Sequence, residues 1–334
     1  MNVTAIDIPF ASNAAPEGWR IIDDAQLMNV PDPTFLVDGM IPDRGLSVLY
    51  GPSGTAKTTM VAGLQVALAA GHGWLGHAIQ RHGASIYVAA EDLQGFKTRV
   101  RAAKAAIGFR LDAPIGVYTF PDVFDLRDND QVRRFVRFVK DAEIDDLRLV
   151  VLDTFAASTP GASENSSEDM TQSVTAAQLI RSELDVAVIL VHHSNAAGTR
   201  ERGHSALRGS ADAMLQVSPV DDLIHLECSK LRNGAPFERL SLKLTPVPSV
   251  GGCVVRLASE VLPRTGLSTA QEKVLQVLRD FGSAGASKTE WEKACADVPP
   301  RTFYRASAEL VDKHRLVTQA GQRFYCQKPV AVHA

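Results

Sequence analysis

Apolar residues in the middle of the chain fall into short runs that alternate with longer segments of mixed character. Each run is four to six residues long and apolar on both faces, which is typical of strands in a parallel sheet covered by helices. The predicted strands are Leu46–Tyr50, Ser85–Ala89, Leu149–Leu152 and Val186–Val191. The segments predicted to be helical are Thr58–Ala70, Gly95–Ala106, Asn129–Ala142 and Ser167–Leu184. This alternation predicts a doubly wound α/β core.

The pattern changes after Met214, where extended segments follow one another without helices between them. These segments are Leu223–Ser229, Glu238–Leu244 and Cys253–Leu257, with Asn-Gly and Gly-Gly pairs between them. We therefore expect antiparallel strands that extend the sheet. The residues that predict the end of this domain are Pro246, Pro248, Pro263 and Gly266.

The two ends of the chain differ from its middle. Residues 1–34 contain four prolines and no periodic apolar face, so we expect an arm that lies on the body or joins a neighbouring subunit. Residues 35–262 form the predicted main domain, and residues 267–330 form a predicted smaller one.

The smaller domain has the pattern of three helices followed by a β-hairpin. Thr269-Ala-Gln-Glu272 and Ser287-Lys-Thr-Glu290 have the form of capping boxes, and Pro299-Pro300 opens a third helix. The hairpin is predicted over Leu316–Gln319 and Arg323–Gln327. Such a unit resembles a winged helix-turn-helix, which contacts either DNA or protein. The side chains expected on its exposed third helix and on its wing are Arg301, Tyr304, Arg305 and Arg323.

Composition narrows the class of protein. The 334 residues are 45% hydrophobic and 22% charged, which is ordinary for a soluble globular protein. Four cysteines without close spacing argue against a disulfide framework, and neither a signal peptide nor an apolar stretch long enough to cross a bilayer is visible. We therefore expect a cytoplasmic protein without membrane contact. Residues 268–334 carry 10 Lys and Arg against 7 Asp and Glu, a mildly basic tail that permits nucleic-acid contact.

The strongest chemical signal is a small-residue loop between a predicted strand and a predicted helix. Such a loop turns backbone N–H groups toward phosphate oxygens, its Lys57 reaches the terminal phosphates, and the Thr58 hydroxyl holds Mg²⁺. Ala56 stands where the usual pattern has glycine, so the loop is strained if the backbone there needs a positive φ. The predicted nucleotide-binding residues are Gly51, Pro52, Ser53, Gly54, Thr55, Ala56, Lys57, Thr58 and Thr59.

Two further predicted strands end in carboxylates. Asp153 ends an apolar strand, the usual position for an acidic group that orders Mg²⁺. Glu91 follows another and could activate the attacking water as a general base. The alternative for such a residue is a charge that favours the N-terminus of the next helix, and Asp92 fits that alternative better.

These motifs occur in the order found in a known group of ATPases. They are followed by Val191-His-His-Ser194 and by Ser205-Ala-Leu-Arg-Gly-Ser-Ala-Asp212. Over roughly residues 35–260 the chain resembles the RecA-fold ATPases of plasmid and phage RepA-type hexameric helicases, and more distantly the DnaB-type helicases. The resemblance implies a RecA-like P-loop NTPase core with Glu91 as catalytic base.

The same resemblance assigns a phosphate sensor and two residues that act between subunits. It implies that His193 or His192 senses the γ-phosphate, and at most one of them can do so because neighbours on a strand point to opposite faces. It also implies that Lys230 and Arg232 reach the nucleotide of a neighbouring subunit, with Arg232 as an arginine finger. The alternative for this pair is a hairpin turn with solvated basic residues.

The polar stretch Asn195–Arg208 follows the sensor strand, where RecA-fold motors place a loop that faces single-stranded DNA. Arg200, Arg202 and Arg208 could track the phosphate backbone. A solvated loop is the alternative, and Arg208 could instead be structural.

The sequence thus predicts a ring-forming ATPase, most simply a hexamer, that binds ATP and Mg²⁺ and moves on single-stranded DNA as a replicative-type helicase. The predicted catalytic residues are Glu91, Lys57, His193, Arg232 and Lys230, and the predicted metal site comprises Thr58 and Asp153. The predicted DNA contacts are Arg200, Arg202, Arg208, Arg301 and Arg305. A nucleotide-switched DNA-binding or loader protein and a recombinase-like filament remain open as alternatives.

Overall fold

A nine-stranded sheet forms the centre of the main domain. The computed structural model describes residues 21–89, 92–162, 166–194, 201, 205–261, 267–313 and 316–326. The strands are β1 (Phe35–Val37), β2 (Ile41–Pro42), β3 (Leu46–Gly51), β4 (Ala84–Ala89), β5 (Val117–Phe120), β6 (Leu147–Asp153), β7 (Ala187–His193), β8 (Ala213–Val220), β9 (Leu223–Leu231), β10 (Leu240–Val247), β11 (Gly252–Leu257), β12 (Ala286–Ser287), β13 (Val317–Ala320) and β14 (Arg323–Cys326).

The helices complete the layers around the sheet. They are α1 (Asp24–Leu27), α2 (Lys57–Ala70), α3 (Leu93–Ala106), α4 (Asn129–Asp141), α5 (Ser167–Leu184), α6 (Ala206–Ser210), α7 (Ala258–Val261), α8 (Thr269–Asp280), α9 (Lys288–Ala294) and α10 (Pro300–Asp312). None of the helices in the described ranges is long and apolar enough to span a membrane.

The large sheet has a parallel half and an antiparallel half. Its strand order is β11-β10-β9-β8-β3-β7-β6-β4-β5. Strands β8, β3, β7, β6, β4 and β5 pair in parallel, and β8, β9, β10 and β11 pair antiparallel. Parallel pairing brings the carboxyl ends of β3, β4, β6 and β7 to one edge, where ligands bind in sheets of this kind.

Both faces of the parallel half are covered, which confirms the predicted α/β core. Helices α2 and α3 pack on one face through residues such as Leu64 and Phe96. Helices α4 and α5 pack on the other through residues such as Phe135 and Ile180. Because both faces are buried, β3 and β4 are buried along their whole length, as their continuous apolar runs predict.

The sequence patterns place most elements within one or two residues of their observed bounds. Strands β1, β2, β5 and β8 are missed, and β5 is a four-residue, half-exposed edge strand with little apolar signal. The prediction that Pro246 and Pro248 mark a domain end is wrong. Pro246 lies in β10, where it pairs with Cys253 of β11 beyond the residues that pair with β9, and Pro248 begins a short turn before β11.

The C-terminal unit has its own apolar core, formed by α8, α9, α10 and a three-stranded sheet of order β12-β14-β13. The predicted hairpin forms, and β12 adds a third strand. The capping box of α8 begins one residue earlier than predicted, because the Ser268 side chain accepts from the Gln271 amide and Gln271 bonds back to Ser268. The box at Ser287 and Glu290 forms as predicted.

Of the predicted N-terminal arm, residues 21–34 are described. All of them are exposed, and the four-residue α1 buries no side chain.

Candidate functional site

The phosphate loop joins the buried strand β3 to helix α2, as the motif predicts. Helix α2 begins at Lys57, and the residue before it, Ala56, has no side-chain oxygen that could cap the helix. The first-turn N–H groups of such a helix form an anion site. The Lys57 ammonium group is buried and donates to the carbonyl oxygens of Gly51 (3.0 Å) and Pro52 (2.7 Å). A bound phosphate would replace carbonyl oxygens as the acceptor for this charge.

Ala56 adopts the strained geometry that the sequence left open. Its backbone has φ 62° and ψ 20°, in the left-handed region that glycine enters without cost. Because the glycine of the usual pattern is missing here, the loop carries local strain at the residue directly before Lys57.

Gly51 is needed for a reason that the motif does not reveal. A Cβ atom at this position would lie 2.2 Å from the carbonyl oxygen of Val217 in β8. The glycine therefore allows two neighbouring backbones to approach closely where the phosphate loop begins. Gly54, in contrast, has φ 77° and open space around it, so its backbone conformation explains its identity.

Asp153 lies at the end of β6 and is almost fully buried, with 3% of its surface exposed. The hydroxyl of Tyr87 in β4 donates to its Oδ2 atom at 2.9 Å. The Tyr87 ring stacks on that of Phe96, with centroids 3.5 Å apart, so the hydroxyl is held in place. Tyr87 is a site residue that sequence reasoning missed, because its relation to Asp153 exists only across the sheet.

The region around the predicted base is described only in part, since Glu91 lies outside the described residues. The next residue, Asp92, caps α3 by accepting from the Gly95 amide at 2.7 Å, which confirms the helix-start interpretation of this carboxylate. Its Oδ2 atom also lies 3.5 Å from the guanidinium of Arg99. Arg99 is a second site residue without a sequence signal.

The two histidines at the end of β7 face opposite sides, as strand geometry requires. His192 is fully buried and packs edge-on against the Phe155 ring, with centroids 5.4 Å apart. His193 is half-buried and lines the phosphate cleft. Of the two histidines, His193 therefore reaches the cleft and His192 does not, and the sensor role stays a prediction.

These side chains surround one cleft of about 360 Å³ at the carboxyl edge of the sheet. Its lining residues are Ser53, Gly54, Thr55, Ala56, Lys57, Thr58, Thr59, Tyr87, Asp92, Arg99, Asp153, Thr154, Val191, His193 and Leu244. Gly51 and Pro52 do not line it and act through their carbonyl groups. The donor set fits a nucleotide with Mg²⁺, because an ammonium and helix amides suit phosphates and a hydroxyl with a carboxylate suits the metal.

The predicted residues that act between subunits lie away from this cleft. Lys230 donates to the carbonyl oxygens of Arg208 (2.5 Å) and Gly209 (3.2 Å). Partial burial lowers the pKa of the Lys230 ammonium group. Arg232 is half-exposed and pairs with Asp212, whose Oδ1 atom lies 3.0 Å from the guanidinium. Neither residue lines the cleft of its own subunit.

The predicted DNA contacts fall into three groups. Arg200 and Arg202 lie outside the described residues. Arg208 is half-buried, with 38% of its side chain exposed, and forms a two-point ion pair with Glu201. Arg301 and Arg305 are exposed on α10, on the face that the sequence predicts.

Within the described ranges, His, Cys, Asp and Glu residues form no cluster of three that could hold a metal ion by themselves.

Comparisons with known proteins place this geometry in context. A model of the AAA domain family matches residues 16–199, more than half of the chain. The matched span contains Lys57, Asp153 and His193 and ends before Arg208, Lys230 and Arg232. Among curated protein sequences, none matches the chain.

Two solved structures are similar at low identity. One is the crystal structure of the RadB recombinase, with 17% identity, a TM-score of 0.43, and coverage of 61% of this chain and 88% of that one. The other is a DnaB-like replicative helicase described with its interactions with primase, with 13% identity, a TM-score of 0.47, and coverage of 69% of this chain. The chain spans 66% of the length of that helicase.

Proposed function

The chain belongs to the AAA domain family, and on that premise we propose that it is an ATP-hydrolysing, ring-forming DNA motor. The family match supports an ATPase. The finer proposal is a cytoplasmic replicative-type helicase of a plasmid or phage that assembles, most simply as a hexamer, and translocates on single-stranded DNA.

The ATPase proposal depends on one observation, which is that Lys57, Asp153 and His193 line the same cleft. Lys57 and the amides at the start of α2 would hold the phosphates, and Thr58 and Asp153 would hold Mg²⁺. When bound, the metal neutralises charge that develops on the transferred phosphoryl group. His193 stands at the cleft wall, where it could report whether a terminal phosphate is present.

In this proposal the water that attacks the γ-phosphate gives its proton to Glu91. The assignment rests on the sequence resemblance. Glu91 is the neighbour in sequence of Asp92, which caps α3 and lines the cleft.

The ring supplies what a single subunit lacks. Arg232 and Lys230 do not line their own cleft, so we assign them to the nucleotide of a neighbouring copy. An arginine that enters a phosphoryl-transfer site from outside stabilises the transition-state charge. Arg232 would then exchange its contact with Asp212 for one with the neighbour's nucleotide.

The DNA assignment rests on the loop after β7 and on the exposed basic side chains of α10. Arg301 and Arg305 lie one turn apart on the same exposed face, where they can meet backbone phosphates.

A second candidate is a nucleotide-switched DNA-binding or loader protein. The left-handed Ala56 is the observation behind it, because backbone strain of this kind occurs at switch regions as well as at active sites. A recombinase-like filament is a third outcome that assembly measurements separate from a ring.

The experiment that tests the motor measures steady-state ATP hydrolysis with and without single-stranded DNA. The motor predicts a several-fold stimulation by DNA and a loss of at least about 100-fold in Lys57→Ala. Lys97→Ala is the matched control, because Lys97 is exposed on α3 and does not line the cleft. Slow hydrolysis that DNA does not stimulate, with ATP binding intact, would contradict the motor and favour the nucleotide-switched protein. Electron microscopy then separates closed rings from filaments.

A further inference from the structure

Helix α4 has one buried apolar side and one exposed side that is basic at its centre. The apolar side packs on the sheet through Val132, Phe135, Val136 and Val139. On the other side Arg133, Arg134 and Arg137 are all exposed. Residues three and four positions apart are neighbours on a helix surface, so Arg137 lies beside both of the other arginines. The three guanidinium groups therefore form one exposed cluster.

This cluster has no acidic partner. Among the residues that the structure describes, no carboxylate lies within ion-pair distance of the three guanidinium groups. Most other arginines in the described part of the main domain do have such a partner, for example Arg127 with Asp125 at 2.8 Å and Arg232 with Asp212 at 3.0 Å. The positive charge on α4 is therefore left available to a molecule outside the subunit.

A cavity of about 250 Å³ lies between α4 and α5, beside this cluster. Its charged lining residues are Arg133, Arg137, Lys140, Asp141 and Glu183. Lys140 donates to Glu183 at 2.7 Å, and this hydrogen bond lowers the pKa of the Glu183 carboxyl. Glu183 is thus already paired. With three basic and two acidic residues, the lining keeps a net positive charge.

An aromatic ring stands next to the arginines. Phe138 is 60% exposed, and it lies one helical turn after Arg134 on the same side of α4. Its ring meets that of Phe120 edge-on, with centroids 5.9 Å apart. Phe120 in turn packs against the buried Phe135. The exposed ring is therefore supported from below and offers a fixed apolar surface.

The stability of α4 does not explain the cluster. Like charges three or four positions apart on a helix repel each other and destabilise it. The helix dipole favours basic residues only in the last turn, which holds Lys140 and not Arg133 or Arg134. A ligand of opposite charge would remove the repulsion.

We propose that Arg133, Arg134, Arg137 and Phe138, called the α4 face below, bind a single strand of nucleic acid. The guanidinium forks match backbone phosphate oxygens, and an unpaired base can stack on Phe138. None of the four residues lines the nucleotide cleft, and α4 packs on the opposite face of the sheet from α2. The inference rests on the proposed function, because it adds a contact for the DNA strand outside the ATP site.

The first arm of the test measures binding of a labelled oligothymidine of about 30 nucleotides to the full chain, between about 50 and 200 mM NaCl. The triple variant Arg133→Gln/Arg134→Gln/Arg137→Gln should bind about tenfold more weakly or worse. The slope of log affinity against log salt should become shallower by about 2, since each lost contact with a single-stranded phosphate removes about 0.7.

The matched control removes the same charge elsewhere. Lys97→Gln/Arg101→Gln/Arg256→Gln changes three exposed basic residues on α3 and β11 and should alter the affinity by less than about twofold. The variant in which all three arginines of α4 become lysine keeps the charge and should keep the wild-type salt slope. If the lysine variant loses as much affinity as the glutamine variant, charge on α4 does not bind the strand, and the proposal is wrong.

The second arm tests the aromatic ring. Phe138→Leu keeps an apolar side chain and removes the surface on which a base stacks. Affinity for the oligothymidine should fall by about fivefold or more, with an unchanged salt slope. Wild-type affinity in Phe138→Leu would contradict stacking at the α4 face.

An acidic protein is the other ligand that an arginine cluster can bind. Labelled polyglutamate of the same length as the oligothymidine should bind the wild type at least about tenfold more weakly, because it offers no base to Phe138. If polyglutamate binds as tightly as the oligothymidine and the glutamine variant loses both, the α4 face binds an acidic protein and the proposal is overturned. Equal losses in the glutamine variant and in its matched control would also overturn it, since net charge would then explain the effect.

Failure of this proposal and failure of the motor are distinguishable. If the wild type binds the oligothymidine and hydrolyses ATP faster in its presence, while the α4 variants bind as tightly as the wild type, the α4 face alone is wrong. If the α4 variants lose binding but DNA does not stimulate hydrolysis by the wild type, the α4 face is supported and the motor alone is wrong. A wild type that does not bind the oligothymidine overturns both.

Discussion

The two halves of the large sheet differ in how far their side chains are buried. In the parallel half, β3 and β4 are buried from end to end, and β7 is buried except at its last residue. In the antiparallel half, β9 and β10 are mostly half-exposed, with single fully buried positions at Leu226 and Leu242.

This difference in burial determines where each half can present reactive side chains. Strands buried on both faces can present reactive groups only at their ends, so Lys57, Asp153 and His193 gather at one edge. Strands with an open face can present basic residues to another molecule. Lys230 lies near the end of β9 in that half, and Arg232 directly follows the strand. The parallel half therefore supplies most of the cleft, and in the proposed assembly the antiparallel half supplies Lys230 and Arg232 to the cleft of a second copy.

The largest expected effect comes from removing Arg232, the proposed arginine finger that follows β9 in the antiparallel half. Arg232→Ala should lower kcat for ATP hydrolysis by about 10³-fold or more, because an arginine finger stabilises charge in the transition state. ATP affinity should change little, since Arg232 does not line its own cleft. Steady-state kinetics and binding of a fluorescent ATP analogue measure the two quantities. Arg239→Ala is the control, because Arg239 is exposed and pairs with Glu227 in the same half.

Mixing two inactive proteins tests whether the finger acts on a neighbour. A Lys57→Ala subunit still carries Arg232, and an Arg232→Ala subunit still carries Lys57. Mixed assemblies should recover part of the hydrolysis if the finger works between copies. If confirmed mixed assemblies recover no hydrolysis, Arg232 has only a structural role beside Asp212. The antiparallel half would then supply no residue to a neighbouring cleft.

Sequence patterns predict which strands form the parallel half better than they predict the side-chain contacts inside it. Continuous apolar runs show which segments are buried strands, and the motif shows where Lys57 lies. The bond from Tyr87 to Asp153 joins residues 66 positions apart, and no local pattern indicates it. The Glu201–Arg208 pair is equally hidden, because an arginine in a polar stretch has the same signal whether it faces DNA or a buried carboxylate.

An intermediate effect is expected inside the parallel half. Tyr87→Phe removes the hydroxyl that donates to Asp153 and keeps the ring that stacks on Phe96. Loss of a group that orients a metal-binding carboxylate costs about 10- to 100-fold in metal affinity. The Mg²⁺ concentration for half-maximal hydrolysis should therefore rise by about tenfold or more, with kcat at saturating Mg²⁺ close to the wild type.

Tyr118→Phe is the matched control for this change. Tyr118 lies in the neighbouring edge strand β5, and 47% of its surface is exposed. An unchanged Mg²⁺ requirement in Tyr87→Phe would mean that Asp153 needs no orientation from across the sheet, and the cleft would then depend on strand ends alone.

The smallest effect concerns strain where the parallel half meets its phosphate loop. Ala56 has φ 62°, so Ala56→Gly removes a left-handed penalty of about 1–2 kcal/mol and adds about 0.4–1 kcal/mol of unfolded-chain entropy. The free energy of unfolding should rise by up to about 1.6 kcal/mol, or up to about 3–6 °C in Tm. Ala105→Gly deletes the same methyl group inside the right-handed helix α3 and should cost about 0.5–1 kcal/mol. Thermal unfolding of both variants compares the signs. If Ala56→Gly also lowers Tm, the loop does not keep its left-handed residue in solution, and the observation behind the nucleotide-switch alternative is lost.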